Sequence, residues 1–240
     1  VVSTEKQVLQ AAAQCQIPCF AAPGLVPDLG VEFIFSINNP YILKPEFIQR
    51  ATCMAINYHD SPLPKYAGLY ATNQAILHGE IAHGISWHEL TTTIDGGAIL
   101  ASKTVEIGPN DTAYALNIKC YEAAMEAFRE ALPGWLSNTF EKLPQADHGG
   151  TYYGQADRPF HLGMINWAES PTTAQQLIHA CAMESHLENP FLMASFVKDE
   201  QVYFIKEAYT APATSSTMPG LVRQMGNYTT VDLDGGFLVI

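Results

Sequence analysis

Apolar positions along this chain follow two spacings. Between residues 31 and 107 they gather in short β-rich runs: residues 31–37 (VEFIFSI), 53–58, 83–90 and 98–107. Turn residues bound these runs, most plainly Asp95-Gly96-Gly97. Stretches with helical spacing lie around and between them. Residues 4–15 put Val8, Ala11, Ala12 and Cys15 on one face, and Ile17-Pro18 ends that helix. Residues 45–50 open with proline at a first helical position, and residues 69–78 follow Gly68. Asp111 is expected to cap a long helix. Its inner face is Ala113, Leu116, Cys120, Ala124, Phe128 and Ala131, and it should stop at Pro133-Gly134.

Strands alternating with helices predict an α/β, Rossmann-like domain with a mostly parallel sheet over residues 1–142. The chain opens on Val1-Val2-Ser3, which reads as the end of a buried strand, so a first strand and helix are expected upstream. The pattern changes near residue 143. Residues 143–164 are rich in Gly, Asp, His and Tyr and read as a linker. Ser170-Pro171 then starts a helix with Ala174, Leu177, Ile178 and Cys181 as its apolar stripe. Five β-runs follow, at 192–197, 202–209, 221–225, 228–233 and 237–240, separated by turn signals such as Gly226-Asn227 and Asp234-Gly235. Residues 165–240 are therefore expected to form a smaller, OB-like β domain behind one helix, with the barrel incomplete.

Composition narrows the class. Apolar residues make up 48% of the 240 positions and charged residues 15%, which favours a packed core over disorder. The net charge is −12, with only 12 Lys and Arg, so nucleic acid is a disfavoured partner. No apolar run reaches membrane-spanning length. Cys15, Cys19, Cys53, Cys120 and Cys181 include no CxxC pair and are read as reduced, mostly buried thiols of a cytoplasmic protein. His83 and His88, five apart in one strand, should face opposite sides, so they are assigned structural roles and no metal site. Trp87 and Trp167 are assigned to packing.

In open α/β sheets, ligands bind beyond the carboxyl ends of the strands. Asn57 and His59 lie at such an end, followed at once by a loop with two prolines and a glycine (INYHDSPLPKYAG, 56–68). A carboxylate, Asp95, recurs in the Gly-rich turn IDGGAIL at 94–100. Together these stretches resemble the formyltransferases that use 10-formyltetrahydrofolate. The N-x-H-x-S-x-L-P-x-Y-x-G pattern falls on Asn57, His59, Ser61, Leu63, Pro64, Tyr66 and Gly68, and the family's aspartate on Asp95, with Gly97, Ile99 and Leu100 behind it. Ala98 replaces an aspartate that many members carry after the second glycine. The resemblance covers residues 1–140. It continues more loosely through INWAESPTTAQQLIHACAMESHLENP at 165–190, and its style is nearest to formylation domains of nonribosomal peptide and polyketide assembly lines.

The resemblance implies a catalytic centre of Asn57, His59 and Asp95. Formyl transfer is attack by an amine on the formyl carbon, and an oxyanion develops. Asn57 would donate to that oxygen; His59 would do the same or protonate the departing nitrogen; Asp95 would orient His59 or take the amine proton. Ser61, Leu63, Pro64, Tyr66, Gly68, Asn39, Ile42, Ile94 and Gly97 are the implied folate- and substrate-binding positions. The implied partners are 10-formyltetrahydrofolate and an amine, either small or an aminoacyl group on a carrier protein. Two rivals share the fold: a hydrolase that uses water as acceptor, and a non-catalytic domain of a synthase.

Overall fold

A computed structural model describes the chain except for residues 29, 147, 159–162, 184–190, 206–207 and 214–216. Parts of the expected linker, of the segment after the second-domain helix and of the 202–209 run lie outside the described residues. The N-terminal half carries α1 (Lys6–Gln14), β1 (Phe33–Ser36), α2 (Pro45–Ile48), β2 (Met54–His59), β3 (Ala67–Gly68), α3 (Ala71–Leu77), β4 (Ala82–Glu89), β5 (Ile99–Glu106) and α4 (Ala113–Leu136). The C-terminal half follows with β6 (Tyr152–Tyr153), α5 (Pro171–Cys181), β7 (Ser195–Lys198), β8 (Gln201–Phe204), β9 (Tyr209–Pro212), β10 (Val222–Met225), β11 (Tyr228–Leu233) and β12 (Gly236–Val239).

The main sheet has the order β1-β2-β4-β5. It is mixed. The parallel arrangement expected from the sequence holds for β1 with β2, whereas β2 with β4 and β4 with β5 run antiparallel. For β4 and β5 the physical reason is the connection: they are joined by a turn with no crossover helix, and a turn returns the chain antiparallel. One face of the sheet packs on α4. There the Tyr58 and Trp87 rings pack at a tilt with centroids 5.4 Å apart, Phe128 lies 5.2 Å from Trp87, and Phe35 and Trp135 complete the cluster. The Trp87 indole donates to the Ala124 carbonyl at 3.1 Å, so its polar edge is satisfied inside the core.

Several local expectations are corrected. Thr112, not Asp111, caps α4: its hydroxyl accepts from the Ala115 N–H at 3.1 Å. Asp111 instead accepts from the Gly108 N–H at 2.7 Å and pairs with Lys119. Helix α4 runs through Pro133 to Leu136. A proline there removes one hydrogen bond, and burial of Trp135 in the aromatic cluster offsets the loss. On α1 only Ala12 is buried, and Cys15, Cys19 and Cys53 are exposed, so burial of most thiols does not hold; Cys120 and Cys181 are the buried ones.

The stretch after α4 is more than a tether. Leu143 and Ile99 exchange both backbone hydrogen bonds, at 2.8 and 2.9 Å, and β6 pairs with β3. Helix α5 has the expected start: Ser170 accepts from the Thr173 N–H, with Pro171 in the first turn. It packs on α3, and the buried Asn73 amide donates to the Ala180 carbonyl at 2.8 Å. The C-terminal strands form an open antiparallel sheet of order β10-β11-β12-β9 and a separate β7–β8 hairpin; no barrel closes among the described residues. Also among the described residues, no helix is long and apolar enough to cross a membrane.

Candidate active site

Asn57 and His59 are two apart on β2, so they share the sheet face opposite Tyr58 and the aromatic cluster. Across the ladder, Asn57 lies opposite His88 and His59 opposite Ser86. The carboxylate arrives from the β4–β5 turn. Its Oδ2 accepts from the Gly68 N–H at 2.8 Å and stands 3.8 Å from His59 Nε2, and its Oδ1 is 3.4 Å from His88 Nε2. Asp95 therefore reaches two imidazoles and the backbone of the loop that follows β2.

His59 is buried, and its Nε2 meets the Tyr66 carbonyl at 2.8 Å. A carbonyl only accepts, so His59 donates there. The loop carbonyl, rather than Asp95, makes the hydrogen bond that orients this ring. Asp95 acts on it at charge distance only, since 3.8 Å exceeds hydrogen-bond reach. His88 Nδ1 donates to the Glu89 carbonyl at 3.0 Å, which leaves Nε2 of the neutral ring as acceptor for the Asn57 amide at 3.1 Å. The second Asn57 N–H goes to the Tyr58 carbonyl at 3.0 Å. Both amide hydrogens are thus engaged, one of them on an exchangeable partner.

Burial by itself would raise the Asp95 carboxyl. The neighbouring imidazoles of His88 and His59 and the Gly68 N–H outweigh it, and the group is held below its ordinary range. Asp95 is consequently an anion throughout the neutral range. Burial lowers His83, whose Nε2 donates to the Asp60 carbonyl at 2.7 Å. His83 stays with the scaffold. Among the described residues there is no His, Cys, Asp and Glu cluster able to hold a metal.

The glycines explain the turn chemistry. A Cβ on Gly97 would sit 1.8 Å from the Glu89 carbonyl oxygen, and one on Gly68, at φ +91°, would sit 2.2 Å from the Tyr153 carbonyl. Both positions need glycine because backbone passes backbone. The other implied binding positions divide into two sets. Ser61, with its Oγ on the Lys65 carbonyl at 2.8 Å, is fully buried. The Leu63 N–H donates to Ser86 Oγ at 3.1 Å, and the Pro64 carbonyl accepts from the Thr151 N–H at 3.1 Å. Tyr66 sends its hydroxyl to Glu80 at 2.8 Å and stacks on Tyr153. These four brace the loop. Ile42 and Ile94 are exposed, and Asn39 closes a small ring with both backbone groups of Tyr41.

Sequence reasoning passed over His88. Its separation from His83 carried a signal for opposite faces, but the functional signal was its ladder partner, Asn57. That pairing depends on the β2–β4 register.

The fold and site define an open α/β sheet domain with a cluster of one amide, two imidazoles and a carboxylate beside the end of β2. Residues 21–132 of the chain match the family model described as Formyl transferase. Solved structures share the fold over its whole length. An N-formyltransferase from Helicobacter canadensis, solved with folinic acid and dTDP-3-aminofucose, is 20% identical with a TM-score of 0.76, covering 100% of this chain and 84% of its own. The sugar 3N-formyl transferase WlaRD, solved with dTDP and 5-N-formyl-THF, is 20% identical with a TM-score of 0.74, covering 100% and 82%. HypX from Aquifex aeolicus is 19% identical with a TM-score of 0.66, covering 99% of this chain and 39% of its own.

Proposed function

We propose that the protein transfers the formyl group of 10-formyltetrahydrofolate to an amine. The observation that carries this reading is the convergence of Asn57, His59, His88 and the Asp95 anion at the mouth of the sheet. The similar structures support the donor, since two of them were solved with folinic acid and with 5-N-formyl-THF. The donor set suits the group: an amide and imidazoles for a developing oxyanion, a carboxylate for an amine proton, and exposed Ile42 and Ile94 as apolar surface for a flat ring.

When bound, the folate supplies an activated formyl carbon. The chain's own residues do the rest. Asn57 turns one N–H from His88 to the formyl oxygen, a donor worth about 3 kcal/mol in such sites. That releases His88 Nε2, which already stands 3.4 Å from Asp95 Oδ1. Asp95 takes the proton of the attacking amine, directly or through His88. His59, held by the Tyr66 carbonyl, supplies positive charge or a proton to the departing nitrogen. The acceptor is a small amine, an amino sugar of the kind named for the similar structures, or an aminoacyl group on a carrier protein.

The decisive assay supplies 10-formyltetrahydrofolate with and without a panel of such amines and follows free tetrahydrofolate. Release that depends on amine is expected. Equal release with water alone would make the protein a hydrolase, and none from folded protein a non-catalytic domain. His88→Asn should lower kcat about 10²-fold by removing the ring between Asn57 and Asp95, with folate KM nearly unchanged. Wild-type turnover in that variant would remove His88 from the mechanism.

A further inference from the structure

We infer that Gln145 is a positioning residue for the Asp95 carboxylate, an inference that rests on the formyl-transfer reading for its catalytic consequence. Its side-chain amide donates both hydrogens to a single turn: Nε2 lies 2.6 Å from the Asp95 carbonyl and 2.8 Å from the Gly97 carbonyl. Among the described residues no other donor reaches either oxygen.

Asp95 sits at φ +50°, in the left-handed region, where a side chain other than glycine needs the surroundings to hold it. The carboxylate direction depends on that backbone state, because it must meet the Gly68 N–H on one side and His88 on the other. Gln145 fixes the state from below by tying the carbonyls of Asp95 and Gly97 to one point. Its own place is set independently of the turn: Leu143 is bridged to Ile99 by two backbone bonds, and Lys142 pairs with Glu89 at 2.8 Å. The stretch after α4 thus reaches back to the β4–β5 turn and sets the aim of the proposed base.

The test compares Gln145→Met, which keeps volume but cannot donate, with Gln145→Ala. Both should lower kcat about 10²-fold at nearly unchanged folate KM, the cost of a base displaced by about 1 Å. In an Asp95→Asn background, Gln145→Met should cost nothing more, since its effect runs through the carboxylate. The carboxyl carbon of Asp95, followed by NMR against pH without folate, should titrate higher in Gln145→Met than in wild type. An unchanged titration, or losses that add in the double variant, would overturn the positioning role. A raised titration in a protein that transfers no formyl group would keep the positioning and sink the formyl-transfer reading.

Discussion

Asp95→Asn should reduce kcat about 10³-fold while leaving the fold intact, within the usual range for loss of a general base. Asparagine keeps the shape and can still accept from the Gly68 N–H through its amide oxygen, so the loop after β2 stays anchored. What disappears is the negative charge between His59 and His88. Steady-state release of tetrahydrofolate at saturating amine measures the loss; turnover within about tenfold of wild type would mean that Asp95 is not the base. Stability gives an independent check. The folded carboxyl titrates below its unfolded value, near 3.9, so its stabilisation is present above that value and fades as pH falls through the folded one. The stability gap between wild type and Asp95→Asn should therefore be full at neutral pH and shrink in acid below about pH 4.

Gly97→Ala should damage both folding and turnover. The new Cβ would lie 1.8 Å from the Glu89 carbonyl oxygen and 2.7 Å from its carbon, and no rotamer change relieves a clash between two backbones. The Glu89 carbonyl is also the acceptor that holds His88 Nδ1, and the Glu89 N–H donates to the Ala98 carbonyl at 2.9 Å. Pushing the turn away from β4 therefore moves Asp95 and turns His88 together. A loss of about 3 kcal/mol in urea unfolding is expected from the collision. An accompanying fall in kcat of at least about 10²-fold is expected from the displaced turn. Gly96→Ala is the matched control: its nearest neighbour is the Thr93 side chain at 2.7 Å, which can rotate, so a smaller effect on both measures is expected. Equal effects at the two glycines would show that the backbone approach at Gly97 carries no special constraint.

The two variants probe one arrangement from opposite sides, and together they show what kind of information located it. The strands 31–37, 53–58, 83–90 and 98–107 were legible because each is a short apolar run with turn residues at its ends; β1 and β5 fall inside them, and β2 and β4 each overrun by one residue. Asn57 and His59 were legible as neighbours on one face because the side-chain period of a strand is two. Asp95 was legible through its glycine turn and the motif resemblance. These are local properties, and local periodicity determines them.

Strand direction, ladder register and partners distant in sequence were not legible, since they are set by how elements pack. The antiparallel return of β4 and β5 and the open arrangement of β9 to β12 were decided there. So were the pairing of Asn57 with His88, the Tyr66 carbonyl that orients His59, and the reach of Gln145 to the Asp95 turn. The sequence by itself determined which groups could do the chemistry and which strand ends carry them. Only the tertiary structure decided which of them touch, because a hydrogen bond between residues far apart in the chain depends on register and loop path, and no repeat in the sequence encodes those.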